Sequence, residues 1–387
     1  MKKFRISLLG WVGIAILSGI LFGQILPDGI SRLFVTFNSL FGNFLSFVIP
    51  LIILGLVAPA IGELGKGAGR LLLLTALIAY GSTVFSGFFT YFSSNAIFSN
   101  FLEMSPDLTD IEGGATSLTP YFIIDMPPLF DIMSALILSF IIGLGLSVIS
   151  GDTLQKAFID FRDIITKLIS SVIVPLLPLH IFGIFLNISS SGQVVSVMSM
   201  FIKVIIVVFV LHILILLIYF TIGGIIGKKN PLKMLQTMLP AYATALGTQS
   251  SAATIPVTLR QAMKLGVREA IAVFVVPLCA TIHMPGSMMK IVSCSMAILI
   301  MTGEPVSIGL YAGFILMLAI TMVAAPGVPG GAIMAALGLL GSMLGFTETQ
   351  QALMIALYIA MDSFGTACNV TVDGAVAVTV DKIAKKE

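Results

Sequence analysis

The sequence predicts an all-α polytopic membrane protein with eight transmembrane helices and two re-entrant helical hairpins. Three observations predict it. Of 387 residues, 58% are hydrophobic and only 10% charged, with a mean hydropathy of +1.10, whereas soluble domains carry about 25% charged residues. Apolar runs long enough for a bilayer core, about 20 residues, recur along the chain. After Lys233 the runs become short and broken by polar, Gly or Pro clusters. Such backbone is tolerated at membrane depth only where it is buried in protein or lines a cavity.

The first run, MKKFRISLLGWVGIAILSGILFG, has the charge order of a signal peptide. Its apolar part is long and leads straight into further spans, so it reads as a retained helix. The spans expected in order are 5–27, 34–61, 71–94, 130–150, 166–188 and 199–226. Residues 236–387 form a second region: a hairpin at 236–258, a broken crossing at 269–302, a second hairpin at 306–346 and a last helix at 350–380. Lys and Arg set the orientation. With N- and C-termini in the cytoplasm, all of the 20 basic residues except Arg32, Lys203 and Lys290 fall on the cytoplasmic side. Residues 92–130 hold Glu103, Asp107, Asp110, Glu112 and Asp125 without a basic residue, and belong outside. Full crossings in place of the hairpins would put Arg260, Lys264 and Arg268 outside, against that bias. Two halves, each a hairpin followed by a helix with a polar break, suggest the inverted repeat of secondary transporters.

The net charge of +2 gives no reason to expect a nucleic-acid partner. Cys279, Cys294 and Cys368 show no metal or redox spacing and read as packing thiols. The chemistry concentrates in the last helix, where Asp362, Thr366, Asn369 and Asp373 interrupt an apolar run. Their spacing puts them on one helical face. A carboxylate in hydrocarbon costs several kcal/mol unless paired or coordinated. Two acids, a hydroxyl and an amide in register suit a hard cation or a solute ammonium. A polar seam between helices is the alternative.

The order of these features resembles the dicarboxylate/amino acid:cation symporters, the glutamate-transporter homologues. A serine-rich tip, Ser250-Ser251-Ala252-Ala253, precedes Thr254-Ile255-Pro256-Val257-Thr258, and a second tip reads Gly327-Val328-Pro329-Gly330-Gly331. The resemblance implies homotrimers in the plasma (inner) membrane, an outer scaffold, and a transport core that moves like an elevator. It implies no enzymatic activity and no tightly bound cofactor. The expected partners are a small solute, a cation (sodium first) and membrane lipid. It places the solute at Ser250, Ser251, Gly327, Val328, Pro329, Gly330, Asp362, Gly365, Thr366 and Asn369. It places sodium at Asn369, Asp373, His283 and the backbone of Cys279, with Tyr80 and Thr83 at a deeper site.

The sequence departs from that pattern in three places. Gly365 stands where acidic-substrate members carry Arg, and Gln249 stands at the alternative Arg position. A second solute carboxylate in a dry site needs such a partner, so a small neutral amino acid is expected; an acidic amino acid or dicarboxylate is the alternative. The family's Asn-Met-Asp-Gly-Thr motif is here His283-Met284-Pro285-Gly286-Ser287, which removes an anionic ligand. Lys290 follows at membrane depth. Either His283 or Lys290 replaces a lost cation, giving proton coupling, or Lys290 snorkels to an interface and His283 donates to a carbonyl. His180 and His212 are expected to be packing residues. The expected function is alternating-access symport. A channel would repeat its polar lining in several helices. An intramembrane hydrolase would have only His283 with Ser287. A transport-inactive sensor is a further alternative.

Overall fold

The computed structural model describes residues 7–65, 70–102, 118–325 and 329–384, and among them no strand occurs. The first part of the chain comprises α1 (Leu8–Gly23), α2 (Asp28–Gly65), α3 (Arg70–Phe101) and α4 (Ile132–Val148), then α5 (Thr153–Leu168), α6 (Val174–Ser190) and α7 (Val194–Gly227). The remainder is α8 (Pro231–Thr248), α9 (Ser251–Lys264), α10 (Glu269–Ile282) and α11 (Pro285–Met301), then α12 (Ile308–Val323), α13 (Gly331–Leu344), α14 (Glu348–Ala360) and α15 (Asp362–Ala384). Five described helical stretches are long and apolar enough to cross a membrane, and the bent pair α14–α15 makes a sixth. The expected eight would need α1 and α4, which are apolar but span 16 and 17 residues. The expected span 166–188 is the latter part of a 38-residue helical stretch, Thr153–Ser190.

Large apolar side chains such as Leu17, Leu77, Phe92, Ile137 and Ile213 face outward, as contact with lipid requires. α2 packs along α4, α5 and α6, and α1 lies along α6. α15 occupies the middle of the other region, in contact with α3, α7, α8, α9, α10 and α11. Small residues let neighbouring backbones close in on it. A Cβ on Gly374 would lie 2.6 Å from Met238 Sδ, and one on Gly286 would lie 2.6 Å from the Gly365 carbonyl oxygen.

Local sequence explains the breaks. Asn230 accepts from the Lys233 N–H at 3.0 Å, and Pro231 opens α8. Gln249 then takes a left-handed conformation (φ 54°), and Ser250 caps α9 by accepting from the Ala253 N–H. Pro285 disfavours helix at the residue before it, so His283 and Met284 leave the helical region between α10 and α11. The last helix, expected from sequence as one continuous span over 350–380, is broken. α14 and α15 meet at 60° around Met361, whose carbonyl accepts from both Phe364 and Gly365 N–H groups. Asp362 therefore heads a new helix, where a carboxylate interacts well with the helix dipole.

Candidate functional site in the bend of the last helix

The α15 stripe was expected to face a solute with Asp362, Thr366 and Asn369 and a sodium ion with Asn369 and Asp373. The structure divides it into two acidic ends, each held by a basic side chain from the broken pair α10–α11. Asp362 Oδ1 accepts from Lys290 Nζ at 2.9 Å, and the Lys290 side chain is fully buried. The same ammonium lies 3.5 Å from the Tyr358 ring centroid. Lys290 therefore does not snorkel: its carboxylate partner and the aromatic face hold the charge inside. Asp362 Oδ2 accepts from the Gly330 N–H at 3.0 Å. Gly330 has φ 74°, a conformation glycine adopts freely, which aims this N–H from the head of α13.

Eleven residues on, Asp373 Oδ1 lies 2.7 Å from His283 Nδ1. His283 Nε2 lies 2.5 Å from Ser82 Oγ on α3. His283 thus engages a carboxylate and a hydroxyl rather than the carbonyl considered from sequence. Cys279, His283 and Asp373 are all buried and bring their ligand atoms within 4.8 Å of one another. The Cys279 carbonyl accepts from the His283 N–H at 2.9 Å. A single hard ion there would have to share Asp373 with the imidazole. Ser82, His283 and Asp373 align in the order of a hydrolase triad, but Ser82 Oγ also donates to the Ala79 carbonyl at 3.0 Å. His283 and Ser287 do not pair, because Ser287 Oγ accepts from Tyr358 and Asn369.

Asn369 joins the two ends. Its Oδ1 accepts from the Gly286 N–H at 2.7 Å and the Ser287 N–H at 3.4 Å, capping α11 from outside. At the Asp362 end lies a cavity of about 30 Å³ lined by Gln249, Ser251, Ala280, Met284, Ser287, Ala332, Tyr358, Asp362, Thr366 and Asn369. That is room for about one water. Thr366 and Ser251 line it, and neither hydroxyl has a protein partner among the described residues. Gln249 Nε2 donates to Ser363 Oγ at 2.9 Å, which ties the α8–α9 tip to the first turn of α15. A larger apolar groove of about 620 Å³ between α1 and α6 holds no charged side chain and does not suit an ionic solute.

The other expected positions are scattered. Ser250 caps α9 with its hydroxyl. Gly365 lies under Lys290: a Cβ there would be 2.7 Å from Nζ. Pro329 precedes the Gly330 turn, while Gly327 and Val328 lie outside the described residues. Tyr80 donates weakly to the Leu316 carbonyl at 3.4 Å, and Thr83 donates to its own helix at Ala79. Sequence reading missed Ser82, Tyr358 and His212. His212 Nε2 lies 3.2 Å from the Gly286 carbonyl oxygen, at the break rather than in plain packing. A polar atom in an apolar span was the one signal available for each.

Comparison with known proteins agrees with this architecture. Residues 8–383 match the model of the sodium:dicarboxylate symporter family. The chain is 27% identical over 261 residues to excitatory amino acid transporter 2 of Homo sapiens, covering 65% of this chain and 45% of that protein. It is 34% identical over 172 residues to excitatory amino acid transporter 3 of Mus musculus, covering 44% of this chain and 32% of that protein. These matches span less than half the length of those two relatives. The serine/threonine transporter SstT of Acinetobacter baumannii (strain AYE) is 27% identical over 394 residues, 97% of both chains. The family consists of integral membrane symporters and not enzymes, and the chain belongs to the sodium:dicarboxylate symporter family.

Proposed function

We propose that the protein is a secondary active symporter for a small amino-acid-like solute, driven by a cation gradient with sodium as the first candidate. The observation that carries this reading is the small cavity where α9, α10, α11, α13, α14 and α15 converge, with Asp362, Thr366 and Asn369 on its wall. A space for about one water cannot hold a solute, so binding requires the elements around it to move. The Gly330 contact to Asp362 makes the α12–α13 tip the natural gate. The solute would be held by Ser250, Ser251, Gly327, Val328, Pro329 and Gly330 from the two tips, and by Asp362, Thr366 and Asn369 from α15. Gly365 makes room beside them for the Lys290 side chain. Sodium would be held by Asp373, Asn369 and the Cys279 carbonyl, with Tyr80 and Thr83 belonging to a deeper site. Solute and cation binding are coupled because both reshape the same broken-helix pair. The reading places the protein in the plasma membrane with cytoplasmic termini, as a homotrimer whose transport core moves like an elevator.

The near full-length relative is a serine/threonine transporter, which makes serine and threonine the first solutes to test. Glutamate, aspartate and C4-dicarboxylates form the competing class. Reconstitution in liposomes, with labelled serine, threonine, aspartate and succinate under separate sodium and proton gradients, decides among them. Sodium-driven serine or threonine uptake is the expected result. High-affinity uptake of aspartate or succinate contradicts the solute assignment. The His283–Asp373 contact favours one second reading, proton coupling, because an imidazole already occupies the carboxylate that sodium would need. Uptake that follows the proton gradient without sodium would establish it.

A further inference from the structure

Asp362 meets its expected ligand, an ammonium, from inside the protein. Its Oδ1 is bonded to Lys290 and its Oδ2 to Gly330. Among the described residues, Asp362 is the one carboxylate within ion-pair distance of Lys290. Lys290 Nζ is bracketed by Asp362 and Tyr358, both of which line the cavity. Its stem lies across Gly365, where a Cβ would overlap Lys290 Cε and approach Cδ to 3.0 Å. One positive and one negative charge thus stand in contact at the cavity wall, Lys290 buried behind Asp362 and Tyr358, with a notch in α15 that makes room for it.

We propose that Lys290 determines specificity by receiving the solute's carboxylate, so that the site selects zwitterions. This rests on the symporter reading above and names its substrate class. The argument is one of charge pairing in a dry site. Separating Lys290 from Asp362 leaves two unpaired buried charges, at a cost that a solute must offset. A solute bearing one ammonium and one carboxylate inserts between them. Its ammonium pairs with Asp362 and its carboxylate with Lys290, and every charge keeps a partner. A simple carboxylate would take Lys290 and strand Asp362. A simple amine would take Asp362 and strand Lys290. A dicarboxylate would add a second unpaired acid. The four-carbon lysine stem lets Nζ shift without moving the backbone.

The test is ligand-induced thermal stabilisation of purified full-length protein in detergent at one sodium concentration. The probes are L-alanine, propionate (alanine without its amine) and ethylamine (alanine without its carboxylate). For the wild type, alanine should bind at least 30-fold more tightly than either fragment. In Lys290→Met, alanine should weaken at least 30-fold and ethylamine should gain at least 10-fold, because Asp362 has lost its resident cation. In Asp362→Asn, propionate should gain instead. Each single change strands a charge, so Lys290→Met/Asp362→Asn, which removes both, checks folding by its elution profile and should bind no probe. Gly365→Ala should weaken alanine by crowding Lys290. The proposal is overturned if the wild type binds propionate within threefold of alanine, or if Lys290→Met keeps alanine within threefold of wild type. It is also overturned if the wild type binds none of glycine, alanine, serine and threonine. Zwitterion binding in this pattern without uptake in liposomes would sink the transport reading and leave this one standing. Uptake with the wrong pattern would do the reverse.

Discussion

The two acidic ends of α15 use the same plan and reach different results. Asp362 and Asp373 are both buried, and each is held by a base from the broken pair α10–α11. Lys290 comes from within a regular helix, on a long stem, against an aromatic ring. His283 comes from the break itself and continues to Ser82 on α3. The Asp362 end opens on the cavity and accepts from the Gly330 N–H, whereas Asp373 is buried beside His283 and Cys279 and does not line the cavity. An acid beside a cavity suits a solute, and an acid enclosed among fixed donors suits an ion or a proton. In the proposed symporter, position relative to the cavity, more than residue type, would separate solute handling from coupling.

The largest expected effect comes from removing one member of the solute-side pair. Asp362→Ala leaves the Lys290 ammonium buried without its carboxylate, which should destabilise the protein by about 3–5 kcal/mol and abolish solute uptake; denaturant or thermal unfolding with uptake in liposomes measures both. Asp373→Asn keeps a hydrogen-bond acceptor for His283, so it should fold and still bind solute, yet lose cation-dependent uptake. If Asp373→Asn loses solute binding as severely as Asp362→Ala, the division between the ends is wrong.

Smaller changes probe the joint between the ends. A Cβ on Gly286 would press on the Gly365 carbonyl and the Cys368 side chain. Gly286→Ala should therefore cost about 1–3 kcal/mol, as overpacking does, and reduce binding at both ends in a thermal-shift assay. Tyr358→Phe removes the hydroxyl that donates to Ser287 at 3.1 Å but keeps the ring over Lys290. It should cost about 1 kcal/mol with little change in solute selectivity. Ser250→Ala removes the α9 cap and should cost about 1 kcal/mol; unchanged melting would show that the α8–α9 tip is held from outside, through Gln249 and Ser363.

Much of this was legible in the sequence, and what was hidden has a physical cause. The stripe of Asp362, Thr366, Asn369 and Asp373 follows from helical periodicity, because all four fall in one straight piece, α15. The break at His283–Met284 follows from Pro285. The hydrogen bonds from Lys290 and His283 to their acids were not legible, since 72 and 90 residues separate the partners and local pattern does not encode such pairings. The snorkelling alternative for Lys290 fails for that reason: hydropathy cannot see a buried carboxylate partner. The bend at Met361 was also hidden, because no Pro or Gly marks it. Gly365 was read as a missing Arg, while its structural role is to give Lys290 room.

The most direct measurement is L-serine binding to wild type, Asp362→Asn and Asp373→Asn across a sodium titration, read by thermal shift. Wild-type affinity should rise with sodium, Asp373→Asn should bind serine with an affinity indifferent to sodium, and Asp362→Asn should bind no serine at any sodium concentration. Sodium-dependent serine binding retained by Asp373→Asn, or serine binding retained by Asp362→Asn, would contradict the assignment of solute to one end of α15 and coupling ion to the other.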